Sequence, residues 1–178
     1  VYGGGGNSGA QYKSDFIELF NAGATPVNVA GWSVQYASST GTSWQVTAIT
    51  GTIAPGGYLL VKQADGAGAQ PVLPTPDVVG TISMAGASGK VALSNSTTAL
   101  SGACPGAVDL VGYGSANCPV APAAPTSVLS NSTAALRKSG GCTQTGNPQA
   151  DFDVAAPAPR TPWSCKWANW PARPRPTT

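Results

Sequence analysis

Proline and glycine occur 16 and 23 times in 178 residues and interrupt most windows long enough to hold an amphipathic helix. Between them lie short alternating runs, each closed by turn chemistry. Asp15–Phe20 ends at Asn21-Ala22-Gly23. Val27–Val29 leads through Gly31 to Trp32, Val34 and Tyr36, and Trp44 and Val46 open another run. After Pro55-Gly56-Gly57, the stretch Tyr58–Lys62 reads as a nearly continuous buried strand. Residues 64–80 read as loop. Strands are expected again at Thr81–Met84, Lys90–Leu93, Val108–Tyr113 and Ala134–Lys138, with a long Pro/Ala loop over 119–125. Seven to nine short strands predict an all-β chain, a β-sandwich with long loops, with Trp32 and Trp44 as core aromatics. Leu93–Leu100 is nearly repeated at Leu129–Leu136, which reads as two similar strand-turn-strand corners.

Only 9% of residues are charged, against roughly 25% in a usual soluble domain. Hydroxyls and amides must keep such a surface soluble, which suits an extracellular chain or one that packs against copies of itself. The net charge of +2 gives no overall field toward nucleic acid. Past Asp153, however, there are four basic residues (Arg160, Lys166, Arg173 and Arg175) and no acid.

The four cysteines, Cys104, Cys118, Cys142 and Cys165, form no CxxC pair, and the chain has no histidine. That pattern argues against zinc and for two disulfides made in an oxidising compartment. Three connectivities exist. Cys104–Cys118 with Cys142–Cys165 is favoured because both bonds close short, turn-rich loops. No apolar run reaches transmembrane length, and a secreted chain would already have lost its signal. Asn95 and Asn131 each stand in an Asn-Ser-Thr sequon, which matters only where such sites are glycosylated.

Without histidine there is no Ser-His-Asp set and no base for a cysteine nucleophile, and no Gly-x-Ser-x-Gly elbow occurs. No catalytic residue and no cofactor is expected. Gly4-x-Gly6-x-x-Gly9 matches a dinucleotide fingerprint in form only, since no strand precedes it and no helix follows. It reads as a flexible or tightly turning lead-in to the first strand. Glu18, the sole glutamate, is expected on the Phe16 and Phe20 side of its strand, anchoring a basic residue of a neighbouring strand rather than forming an acid/base pair with Asp15 or Asp109. Asp151 and Asp153 sit on one side of a segment read as extended. With Asn147 they form a weak calcium candidate, and the commoner outcome is solvation or pairing with Arg160 or Lys166.

The C-terminal end is unusual. Trp163, Trp167 and Trp170 fall within eight residues, followed by Pro171, Arg173, Pro174, Arg175 and Pro176. Tryptophan with arginine is the composition of interface anchors, and the prolines impose extended geometry. These five Trp and Arg residues are therefore the interface candidates. They would cover this domain's own apolar edge, contact another copy or another extracellular protein, or, more weakly, touch nucleic acid or glycan.

Asp15-Phe-Ile-Glu-Leu-Phe-Asn21, Pro26-Val27, Gly31–Tyr36 and Ile53–Val61 resemble the lamin tail domain family. The resemblance continues through Lys90–Asn95, Val108–Tyr113, Asp151-Phe152 and Pro157–Arg160. It implies an immunoglobulin-like β-sandwich over residues 1–165, with 166–178 as a separate Trp/Pro/Arg-rich tail. The Gly3–Gly9 run and Asn117-Cys118 look most like secreted bacterial members, in which the domain often sits beside an endonuclease/exonuclease/phosphatase domain. The resemblance implies an interaction and attachment module. With the low charge and the lack of catalytic residues, it leads to two expectations: a structural unit outside the cell that assembles with copies of itself, or the DNA- or surface-targeting accessory of a secreted nuclease or phosphatase.

Overall fold

The computed structural model describes residues 1–118 and 127–160. Eleven short strands occur among them: β1 (Ser14–Phe20), β2 (Val27–Asn28), β3 (Trp32–Ser38), β4 (Gln45–Ile49), β5 (Thr52–Ile53), β6 (Tyr58–Asp65), β7 (Val78–Val79), β8 (Gly89–Ser94), β9 (Asp109–Tyr113), β10 (Ala134–Arg137) and β11 (Phe152–Ala155). A 3-10 turn at Ser139–Gly141 and one helical turn, α1 (Pro148–Asp151), complete the elements. None of them is long and apolar enough to cross a membrane as a helix.

One sheet runs β1-β6-β7 and the other β4-β3-β8-β9, with β2-β5 and β10-β11 as two-stranded ribbons. The two main sheets enclose the principal core as an immunoglobulin-like sandwich. Ile17, Leu59 and Val61 come from one sheet; Val34, Tyr36, Ile49, Val91 and Tyr113 come from the other. Alternation explains the sharing: Leu59 and Val61 face this core, while Leu60 between them faces away.

The outward faces are covered too, so the strands read as continuous apolar runs. Phe16 and Leu60 lie under Tyr2, Leu73 and Ala134. On the other sheet, the segment after β8 folds over Gln35. The Gln35 amide donates to the Thr98 carbonyl and accepts from Leu100 N–H, both at 2.9 Å. Trp44 donates to the Gly102 carbonyl at 3.0 Å. Lys90, on the same face, is fully buried without a carboxylate. Its ammonium donates to the Gly41 carbonyl (2.7 Å), the Ala103 carbonyl (2.9 Å) and Asn117 Oδ1 (2.8 Å).

Several expectations need correction. The stretch 64–80 contains β7, whose two residues pair in parallel with Val61 and Lys62. Thr81–Met84 forms no strand, although Ile82 and Met84 are buried in the core. The Ile82 carbonyl still accepts from Ala64 N–H of β6 at 3.0 Å, but side chains take the N–H groups: Ile82 N–H bonds Gln63 Oε1 at 3.1 Å, and Met84 N–H bonds Asp15 Oδ2 at 2.8 Å. Trp32 is only half-buried; among the described residues the fully enclosed aromatics are Tyr2, Phe16 and Tyr113. The near-repeat does not mark equivalent corners. Its first copy ends β8 and then turns, whereas the second turns and then enters β10. The Pro/Ala stretch 119–125 lies outside the described residues.

Candidate interaction surface

The Gly-rich start is a packed segment rather than a flexible lead-in. Gly3, Gly4 and Gly5 are buried, and a Cβ on Gly5 would stand 2.2 Å from the Ser14 carbonyl carbon. Asp15 holds it in place: Oδ1 accepts from Gly5 N–H and Oδ2 from Met84 N–H, each at 2.8 Å. Burial pushes the Asp15 carboxyl up to about 6, and the two N–H bonds only partly offset that. No helix follows the run, so it offers no phosphate cradle.

At the other end of the sandwich, the β10-β11 ribbon lies beside β9 through Arg137. Its guanidinium donates to Asp109 Oδ2 at 2.7 Å and to the Thr143 carbonyl at 3.2 Å, and it also bonds the Gln144 amide oxygen. It lies 4.4 Å from the Phe152 ring centroid, its cross-strand neighbour, and 3.6 Å from Asp151. A planar, five-donor cation suits such a crowded position. Asp151 is buried and accepts from Thr145 N–H (2.9 Å) and Thr145 Oγ1 (2.7 Å). Burial works to raise its carboxyl, but the Thr145 bonds and the Arg137 charge hold it below the ordinary value.

Arg160 forms a second node. Its backbone N–H donates to Glu18, its Nε lies 3.8 Å from Glu18 Oε2, and its Nη1 donates to the Tyr58 hydroxyl. That hydroxyl donates in turn to the Gly140 carbonyl, and the guanidinium sits 4.7 Å from the Tyr58 ring centroid. Burial pushes the Glu18 carboxyl up despite the nearby cation. Glu18 thus anchors a basic residue as expected, although Arg160 follows β11 and stands on no strand.

Between these nodes is a half-open cleft of about 390 Å³. Its apolar walls include Ile17 and Leu19 of β1, Trp32 of β3, Leu93 of β8 and Phe152 of β11; Glu18, Asp109, Arg137 and Arg160 supply its charged lining. Such a space takes an apolar group of the size of a large side chain. No group of three or more His, Cys, Asp or Glu that could hold a metal occurs among the described residues.

The structure joins Cys104 to Cys118. Cys142 is exposed and bonded to no described cysteine. Its expected partner Cys165 and the interface candidates Trp163, Trp167, Trp170, Arg173 and Arg175 lie outside the described residues. Asp151 and Asp153 take separate partners: Asp151 ends α1, so the segment is not extended there, and Asp153 pairs with Lys138 at 3.6 Å. Their cations are Arg137 and Lys138 rather than the expected Arg160, and Lys166 lies outside the described residues. Asn95 is exposed, whereas Asn131 donates to the Ser8 carbonyl at 3.0 Å and bonds Asn7. Sequence reasoning missed Arg137, Tyr58 and Phe152. Alternation in Ala134–Arg137 marks a strand, but nothing local shows that Arg137 meets a ring and two carboxylates.

No curated protein matches the chain. The family model described as Lamin Tail Domain matches residues 1–115. That family is a β-sandwich interaction module and a non-catalytic structural domain. With its match spanning well over half of the sequence, this chain belongs to the lamin tail domain family.

Proposed function

We infer that the chain is a non-catalytic interaction module that works outside the cell and joins to further copies of itself along the outer edge of β11. The observation that carries this reading is the edge itself. Among the described residues, Phe152–Ala155 pairs only with β10, and Val154 on it is 37% exposed. A strand paired on one side is a template for another strand. The Cys104–Cys118 bond supports an oxidising location. Trp167, Trp170, Arg173 and Arg175 have the composition to extend such a contact.

Targeting of DNA for a partner nuclease gains less support. Lys62 pairs with Asp65, Lys138 with Asp153, Lys90 is buried, and Arg137 and Arg160 are committed to the two nodes. Size-exclusion chromatography with light scattering across a concentration series tests the assembly reading. The wild type should gain mass with concentration, and Val154→Lys should elute as a monomer. A wild type that stays monomeric at every concentration overturns it.

A further inference from the structure

We propose that the cleft is the open place of one strand between β1 and β10, and that an extended segment of a partner protein, apolar at its centre and uncharged at its flanks, binds by filling it. This goes beyond the assembly reading, which uses the outer edge of β11.

Backbone hydrogen bonds locate the place. Tyr2 N–H donates to the Phe16 carbonyl at 3.0 Å, and Phe16 N–H to the Tyr2 carbonyl at 2.9 Å. The Val1 nitrogen donates to the Ala135 carbonyl, and Ala135 N–H to the Val1 carbonyl, both at 2.9 Å. Val1 and Tyr2 thus stand as a short middle strand that joins β1 to β10. With neighbouring strands about 4.8 Å apart, β1 and β10 are about 10 Å apart there.

The same two strands flank the cleft further along. Backbone polar groups alternate in direction along a strand. Since Phe16 turns its N–H to Tyr2, Glu18 and Phe20 turn theirs the same way, while Ile17 and Leu19 face β6. On β10, Arg137 follows Ala135 toward the gap, while the next residue faces β11: Lys138 N–H bonds the Asp151 carbonyl at 2.8 Å. Glu18, Phe20 and Arg137 all line the cleft, and no described residue meets their N–H groups across it. Amides beside an apolar space call for an acceptor.

The gap defines its occupant. It runs along three residues of β1, Glu18–Phe20, or about 10 Å of strand. A strand aligned with Tyr2 runs antiparallel to β1. Its residue opposite Leu19 bonds Arg137 on the other side and points into the cleft with Leu19, toward Trp32, Leu93 and Phe152. The roughly 390 Å³ there suit a large apolar side chain. The flanking residues, opposite Glu18 and Phe20, point outward. Glu18 is already paired with Arg160, so no charge is called for beside it. Main-chain bonds to two strands give affinity, and the apolar pocket gives selectivity.

The probe is an acetylated, amidated hexapeptide of alternating isoleucine and threonine that carries fluorescein. The wild-type full chain should raise its anisotropy saturably. Amide hydrogen exchange followed by NMR should slow several-fold at Glu18, Phe20 and Arg137 on binding, and stay unchanged at Val154 on the outer edge of β11. The same peptide N-methylated at every isoleucine keeps its side chains but loses the bonds to β10, and should not bind. Val154→Lys should bind the unmodified peptide as wild type does, which separates this site from the assembly edge. No saturable binding, equal binding of the N-methylated peptide, protection at Val154 alone, or loss of binding in Val154→Lys overturns the proposal. So does slow exchange at Glu18 and Phe20 before any peptide is added, since the protein would then fill the gap with its own residues.

Discussion

Replacing Asp15 with Asn should remove most of the pH dependence that this buried carboxyl gives to stability. Asp15 is 4% exposed and faces two backbone N–H groups. Its carboxyl is held at about 6 against an ordinary 3.8, chiefly by burial. The folded state therefore takes up a proton near pH 6, and the unfolded chain only near pH 4. Stability rises as pH falls through that window, opposite to the usual carboxylate. At about 1.4 kcal/mol per pH unit, the full effect is about 3 kcal/mol, and about 1.3 kcal/mol of it is gained between pH 7 and pH 5. The Val1 ammonium, pulled down to about 6 by burial, works the other way, as its folded state prefers to be neutral. It is common to both proteins and cancels in the difference. Urea unfolding of wild type and Asp15→Asn at pH 7 and pH 5 should thus show the wild type gaining about 1.3 kcal/mol on the variant. A difference that does not move with pH, or that moves the other way, refutes the reasoning: the N–H bonds would then outweigh burial.

Two more substitutions test the packing. Gly5→Ala forces a Cβ against the Ser14 and Asp15 backbone and should cost at least 2–3 kcal/mol in urea unfolding, whereas Gly9→Ala, in open space at φ +78°, should cost only about 1 kcal/mol of left-handed strain. Arg137→Met keeps the stem over Phe152 but removes the cation beside buried Asp151, which keeps its Thr145 bonds, and should cost about 2 kcal/mol at neutral pH. Asp151 has a depressed carboxyl, so its stabilisation is complete above about pH 4 and fades below; the gap between wild type and Arg137→Met should narrow there by the same unfolding measurement.

The strands were legible where alternation met turn chemistry. Ser14–Phe20, Trp32–Ser38, Tyr58–Asp65 and Gly89–Ser94 all lie within a few residues of their expected bounds. Thr81–Met84 shows the limit. Its apolar period is real and its side chains enter the core, but its N–H groups bond the Gln63 and Asp15 side chains rather than strand carbonyls, and a period does not say who accepts a hydrogen bond. The Gly3–Gly6 run was opaque for a related reason: glycine looks alike in a mobile lead-in and where neighbouring backbone leaves no room for a Cβ. β11 reads in the sequence only as an extended segment, because its burial is slight. Of the candidate surface, the Glu18 anchor could be read from its solitude on an apolar strand. The Arg137 and Arg160 nodes could not, since each joins residues many positions apart.

The oxygens around Lys90 bear on where such a protein can work. Dissolved ions weaken attraction between opposite surface charges by crowding around each partner. Lys90 offers them no such target. Its ammonium is solvated by two peptide carbonyls and one amide oxygen, much as an alkali ion sits among ligand dipoles, and it is closed off from water. The segment that carries Ala103, next to the Cys104–Cys118 bond, is thus fastened by one link that reductant can open and one that brine leaves alone. A fold pinned in this way keeps its covering over the outer sheet face in media of very different ionic strength.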